Sequence, residues 1–175
     1  MPFVDVTDAR SGGLPQHGGD SAGPDMYHEA AGASSVYGYS AGLATDFAYH
    51  YAGNAGSAYE VSGTAFSYMS CTDQNPAAGN ATQSFFNVGV GYEVNTGVSK
   101  NPGQDYAYII DSPGNDTFVG GSAYSYMYSV GASGAFTEFD AAYAFVLVFG
   151  QSFVGGMDTA TNGDPTHNIL VGFKG

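Results

Sequence analysis

The sequence predicts an all-β fold, from its choice of residues, from strand-like alternation of side chains and from blocks that recur along the chain. Its 175 residues include 27 Gly, 14 Tyr and 12 Phe but no Trp, and only 11% are charged. Tyr, Phe, Val and Thr suit pleated strands and Gly suits tight corners, whereas good helix formers other than Ala are scarce. A chain of this length is expected to form one domain with its own core.

Taken in order, the segment 1–19 reads as an arm or a first edge strand, with a short apolar patch at Phe3, Val4 and Val6. Residues 20–175 read as a single repetitive β domain. Asp20-Ser-Ala-Gly-Pro-Asp25-Met-Tyr27 recurs as Asp111-Ser-Pro-Gly-Asn-Asp116-Thr-Phe118. A second block runs Ser34–Ser40, then Thr64–Ser70, then Ser122–Ser129, with aromatic or large apolar residues at alternate positions, the pattern of a strand with one buried face. A third runs Asp46–Tyr51, then Phe85–Tyr92, then Phe139–Phe149, and a partial fourth copy lies at Gly155-Gly-Met-Asp158-Thr-Ala160. The apolar run from Ala141 to Phe149 reads as one buried strand, too short to span a membrane.

A long, uneven period built from short strands and Gly-rich corners predicts a parallel β-helix, a solenoid-like stack of about three irregular coils. A β-sandwich or jelly roll is the alternative. The rows Tyr37, Tyr39, Tyr49, Tyr51, Phe66, Tyr68, Tyr124, Tyr126, Tyr128, Tyr143 and Phe145 are expected to stack as ladders in an aromatic core. In the other reading they are exposed and bind glycans or dock subunits.

Sixteen carboxylates against three basic residues give a formal net charge of −13. That balance excludes nucleic-acid binding as a main function and disfavours anionic membranes. Surplus carboxylates form a solubilising halo or bind cations, with Ca²⁺ the natural candidate because it takes oxygen donors on loops. No metal-ligand spacing joins His17, His28, His50 and His167, although His28 and His50 could meet in adjacent coils. Cys71 is the single cysteine, so no intramolecular disulfide forms, and it has no recognisable activating partner. Glu138 and Asp140 fall on one face of a strand, as a polysaccharide-acting acid/base pair would. Three basic residues are a poor supply for uronate charge, and the chain is read as not an enzyme. Residues 1–19 lack a basic n-region and an apolar h-region, so no secretory signal is read there.

Gly114, Asp116 and Phe118 resemble the third Gly, the Asp and the apolar position of the repeats-in-toxin nonapeptide, G-G-x-G-x-D-x-U-x. In that family stacked turns bind Ca²⁺. The leading Gly pair is replaced here by Asp111 and Ser112, and the next nonapeptide fails at Ala123 and Ser125. One copy makes at most half of a site. The resemblance makes Asp111, Asn115 and Asp116, with the earlier Asp20 and Asp25, candidate ligands for calcium.

The order Asp111–Phe118, Phe139-Asp-Ala-Ala-Tyr-Ala144, Gly155–Ala160 is similar to a broader group, the exported repeat proteins of planctomycete-type bacteria. This resemblance implies an extracellular or cell-surface module with no catalytic residues to carry over. The expected function is structural: self-assembly into a filament, sheath or surface layer through terminal strands. Phe3, Val4 and Val6 at one end and Ile169, Leu170, Val171 and Phe173 at the other would form the joints. Expected partners are copies of the chain, with glycans as the alternative in a calcium-assisted adhesin.

Overall fold

A computed structural model describes residues 4–6, 35–40, 45–52, 57–63, 66–73, 83–100, 105–134, 136–153 and 155–173. Fourteen strands and no helix occur among them. In chain order they are β1 (Val4–Val6), β2 (Ser35–Tyr39), β3 (Phe47–Tyr51), β4 (Ser57–Gly63), β5 (Phe66–Asp73), β6 (Gln83–Val90) and β7 (Val94–Val98). There follow β8 (Tyr106–Ile110), β9 (Asp116–Gly120), β10 (Tyr124–Val130), β11 (Phe136–Tyr143), β12 (Leu147–Gln151), β13 (Thr159–Asn162) and β14 (Asn168–Val171). The all-β expectation holds. Among the described residues no helix is long and apolar enough to cross a membrane.

The strands form two mixed sheets that face each other. One has eight strands in the order β1-β2-β6-β5-β4-β8-β12-β14, the other six in the order β13-β9-β10-β11-β7-β3. Most neighbours are parallel, their paired residues lying between 20 (Val148 with Asn168) and 51 (Ser35 with Phe86) positions apart in the chain. Phe47–Tyr51 pairs with Val94–Val98, which pairs with Phe139–Tyr143. In the facing sheet Tyr59–Ser62 pairs with Tyr106–Ile109, and Tyr106–Ile110 with Leu147–Gln151. Each sheet also holds one antiparallel three-strand meander, β4-β5-β6 in the larger and β9-β10-β11 in the smaller.

This pairing rearranges the expected blocks. Glu93–Val98, not Phe85–Tyr92, is the layer between Phe47–Tyr51 and Phe139–Tyr143, while Phe85–Tyr92 supplies the last strand of a meander. Of the blocks Thr64–Ser70 and Ser122–Ser129, Phe66–Ser70 and Tyr124–Ser129 fall in β5 and β10, the central strands of the two meanders, which lie in opposite sheets. The apolar run 141–149 is two strands joined at Ala144, whose φ of 59° turns the chain, with Phe145 buried behind the corner.

The expected aromatic core is overturned. Tyr39, Tyr49, Tyr51, Phe66, Tyr124 and Tyr143 are exposed, Tyr49 by 56%, and of the expected rows Phe145 is the member that is buried. The ladders exist, but on the outer faces: Tyr59 stacks on Tyr106 at 5.4 Å, Tyr108 on Phe149 at 4.6 Å, and Tyr124 on Tyr143 at 5.0 Å. Alternation identified the strands correctly but not which face turns inward. The inner rows carry small and polar residues, and the apolar core is a modest cluster that includes Ala58, Met69, Ala107, Ile109, Phe118 and Met127. Facing sheets pack closely because their inner surfaces are trimmed. Phe118 lies against Gly150, where a Cβ would come 2.8 Å from the ring.

Candidate functional site

The space between the sheets holds a line of carboxylates. It begins at the corners that lead into β9 and β13. Two turns with the shared pattern Gly-x-Asp-Thr lie on each other there, Gly114-Asn-Asp116-Thr117 and Gly156-Met-Asp158-Thr159. Their bonds join positions 42 residues apart. The Asp116 N–H donates to Asp158 Oδ1 at 2.9 Å, Phe153 N–H to Asp111 Oδ1 at 2.9 Å, and Met157 N–H to Asn115 Oδ1 at 2.9 Å. Hydroxyls complete the set, with Ser112 Oγ on Asp116 at 2.8 Å and Ser152 Oγ on Asp158 at 2.7 Å.

Three carboxylates converge as a result. Ligand oxygens of Asp111, Asp116 and Asp158 all lie within 4.8 Å of one another, with Asp111 and Asp116 buried. Burial raises the Asp116 carboxyl above its ordinary range, the Ser112 hydrogen bonds oppose this, and the charges of Asp158 and Asp111 push it further up. Among the described residues Lys100 is the one Lys or Arg, and it lies on the outer face over the Tyr51 ring. A hard divalent cation fits this all-oxygen, all-anionic donor set.

The line continues along the inner faces of β11 and β4. Glu138 is 4% exposed, its oxygens receive no N–H or O–H donor, and it lies within hydrogen-bonding reach of the Asp140 carboxyl. Burial, then Asp140, pushes its pKa up to about 10. Asp140 Oδ1 accepts from Ser62 Oγ and from Asn95 Nδ2, the latter at 3.0 Å. Burial raises Asp140 as well, against the pull of those bonds. Across the gap Glu60 is 1% exposed, both its oxygens lack a partner, and burial, then the charge of Asp140, raises its pKa well above normal.

A neutral relay flanks these acids. His50 Nε2 meets Ser67 Oγ at 2.8 Å, and Ser67 donates to Asn95 Oδ1 at 2.7 Å. Burial lowers His50 to about 4, so the ring is uncharged at neutral pH. Ser67 is fully buried, and the relay ties the sheets together without offering a nucleophile to solvent.

Of the sequence-derived ligands, the structure brings Asp111 and Asp116 together and sets Asn115 beside them as a turn-to-turn bond. Asp20 and Asp25 lie outside the described residues, as do His17, His28 and Phe3. Val4 and Val6 fall in β1 at one edge of the larger sheet, and Ile169, Leu170 and Val171 in β14 at the other. Ile169 and Val171 are exposed, whereas Leu170 and Phe173 pack against the core. Sequence reasoning missed Asp158 as a ligand and Glu60 altogether. The Gly-x-Asp-Thr pattern could have found Asp158, but nothing local marks Glu60.

No protein family, curated protein or solved structure matches this chain.

Proposed function

We propose that the chain is a solenoid-like structural module of an extracellular or cell-surface assembly, its turns clasped by calcium and its sheet edges joined to further copies. The observation that supports this best is the stacking of Gly156–Thr159 on Gly114–Thr117. Parallel strand pairing and side chain to main chain bonds both repeat there at one offset, so each turn is a template for the next. Edge strands β14 and β3 carry exposed apolar side chains, Ile169 and Val171 on one and Phe47, Tyr49 and Tyr51 on the other. Such edges pair with added strands unless charge or cover prevents it. The resemblance to exported repeat proteins agrees with this role.

Calcium would be held by Asp111, Asp116 and Asp158, drawing two turns together and offsetting charges that otherwise repel. Light scattering and electron microscopy of the purified chain test the assembly. Concentration-dependent oligomers or filaments are expected, and Ile169→Lys with Val171→Lys should keep the chain monomeric. A wild type that stays monomeric at high concentration would sink the reading.

One observation favours a second reading, a glycan-binding module. Phe47, Tyr49, Tyr51, Phe136, Phe139 and Tyr143 line an open groove of about 590 Å³ on the outer face of the smaller sheet. Tyrosines offer apolar area with a hydroxyl at its rim. Glycan-array binding lost on Tyr49→Ser would favour this reading over assembly.

A further inference from the structure

The relay between the sheets sets a hydroxyl against a side-chain amide. Ser67, on β5 of the larger sheet, donates from Oγ to Oδ1 of Asn95, on β7 of the smaller, at 2.7 Å. With a C=O bond of about 1.2 Å, Oγ lies within about 4 Å of the amide carbon. On its other side Oγ meets His50 Nε2 at 2.8 Å. The amide nitrogen is held as well, since Asn95 Nδ2 donates to Asp140 Oδ1 at 3.0 Å and to the Tyr92 carbonyl at 3.3 Å. A nucleophile, a base, an acyl carbon and an acid thus stand in one chain of contacts. All four side chains are buried, Ser67 completely. Gly89 is paired with Ser67 from β6, and a Cβ there would come within 3.2 Å of Oγ, so the glycine leaves the hydroxyl room to turn.

The protonation states suit acyl transfer. Burial lowers His50 to about 4, which leaves its ring neutral and free to take a proton in passing. Burial raises Glu138 and Asp140, which keeps a proton on the pair whose Asp140 member touches the amide nitrogen.

We infer that Ser67 and Asn95 join as an ester, an internal cross-link that the chain makes by itself. When His50 carries its proton on Nδ1, the Ser67 O–H turns to Nε2 and a lone pair of Oγ faces the amide carbon. Oγ bonds to Cγ of Asn95 as its proton passes to Nε2. The C–N bond then breaks, and the nitrogen takes a proton from Asp140 and leaves as ammonia. His50 gives its proton to solvent and Asp140 regains one, so the net change is one ester gained and one NH₃ lost. Exclusion of water from the interior protects the product from hydrolysis. The bond ties one sheet to the other, which the single Cys71 cannot do by an intramolecular disulfide. Neither calcium nor assembly enters the step.

Intact-mass spectrometry of the folded full chain, incubated at neutral pH and then mapped as chymotryptic peptides, is the test. The wild type should be lighter than its sequence by about 17 Da, one ammonia, and should yield Ser67 and Asn95 in one linked pair of peptides. Ser67→Ala and Asn95→Ala should each show the full mass of their own sequences, and His50→Phe should slow the loss on the order of 100-fold. A folded wild type of full mass overturns the ester. So does a loss of ammonia that persists in Ser67→Ala, the mark of a succinimide such as Asn162-Gly163 can form, and so does a loss of water, which would place the bond between Ser62 and Asp140. Should Ser67→Ala not fold, the wild-type map decides: the linked pair supports the ester, and separate peptides overturn it.

Discussion

Carboxylates at the corners and carboxylates inside the strands meet opposite fates. Asp111 and Asp158 each accept a main-chain N–H from the turn 42 residues away, while Glu60 and Glu138 accept none. Strand ladders explain the difference. At a corner the backbone leaves the ladder and its N–H groups become free for a side chain, whereas in mid-strand every N–H is already given to a neighbouring strand. A carboxylate placed at a corner therefore ties two turns together. One placed on an inner row must find a hydroxyl, as Asp140 finds Ser62, or a proton or a metal.

The largest expected effect breaks the interior set. In chelator, Glu138 has a folded pKa of about 10 against an ordinary 4.5, so the folded chain binds more protons than the unfolded one between these values. Its contribution is complete below about pH 4.5 and is lost as pH rises toward 10, a change on the order of several kcal/mol. His50, lowered to about 4 from 6.5, works in the opposite sense and loses its contribution as pH falls through that narrower window. Urea midpoints measured across pH should fall on the alkaline side, and Glu138→Gln should flatten that fall. A flat alkaline profile in the wild type would contradict the burial of these acids.

The corner set is broken next by Gly156→Ala. Gly156 has φ of +131° and its missing Cβ would run into the Gly114 carbonyl, so the two turns must part, at about 3 kcal/mol or more. Gly155→Ala sharpens the result: its φ is +98° but open space surrounds it, and the cost should be nearer about 1 kcal/mol. Equal losses would mean that strain, not stacking, sets the effect. Asp158→Ala then strands the Asp116 N–H and should cost about 1 to 3 kcal/mol. Asp158→Asn keeps an acceptor there and should cost less in chelator. The smallest effect lies outside both sets. A double-mutant cycle on Tyr108 and Phe149, stacked at 4.6 Å, should return about 0.5 to 1.5 kcal/mol of coupling.

Much of this was legible before the fold was known. Alternation in Tyr124–Val130 and in Phe47–Tyr51 identified strands, and Asp111 to Phe118 marked the corner where the carboxylates gather. Which side of a strand faces inward was not legible, because Tyr-x-Tyr-x-Tyr has the same period whether its rings point in or out. The inward choice depends on what the opposing sheet offers, here Gly97 beneath Glu60 and Gly150 beneath Phe118. Register was hidden for a related reason. Phe85–Tyr92 looks like Phe47–Tyr51 by composition, but Glu93–Val98 takes that layer because the hairpin β4-β5-β6 shifts the chain on by two strands.

The paired meanders bear on shape along the stacking direction. Each hairpin widens its own sheet by two strand spacings, about 10 Å, and leaves the opposite sheet unchanged. A single excursion would act like a bimetallic strip, lengthening one layer and bending the pair. With β4-β5-β6 in one sheet and β9-β10-β11 in the other, each layer is lengthened once, so neither gains a net two-strand excess from its meander.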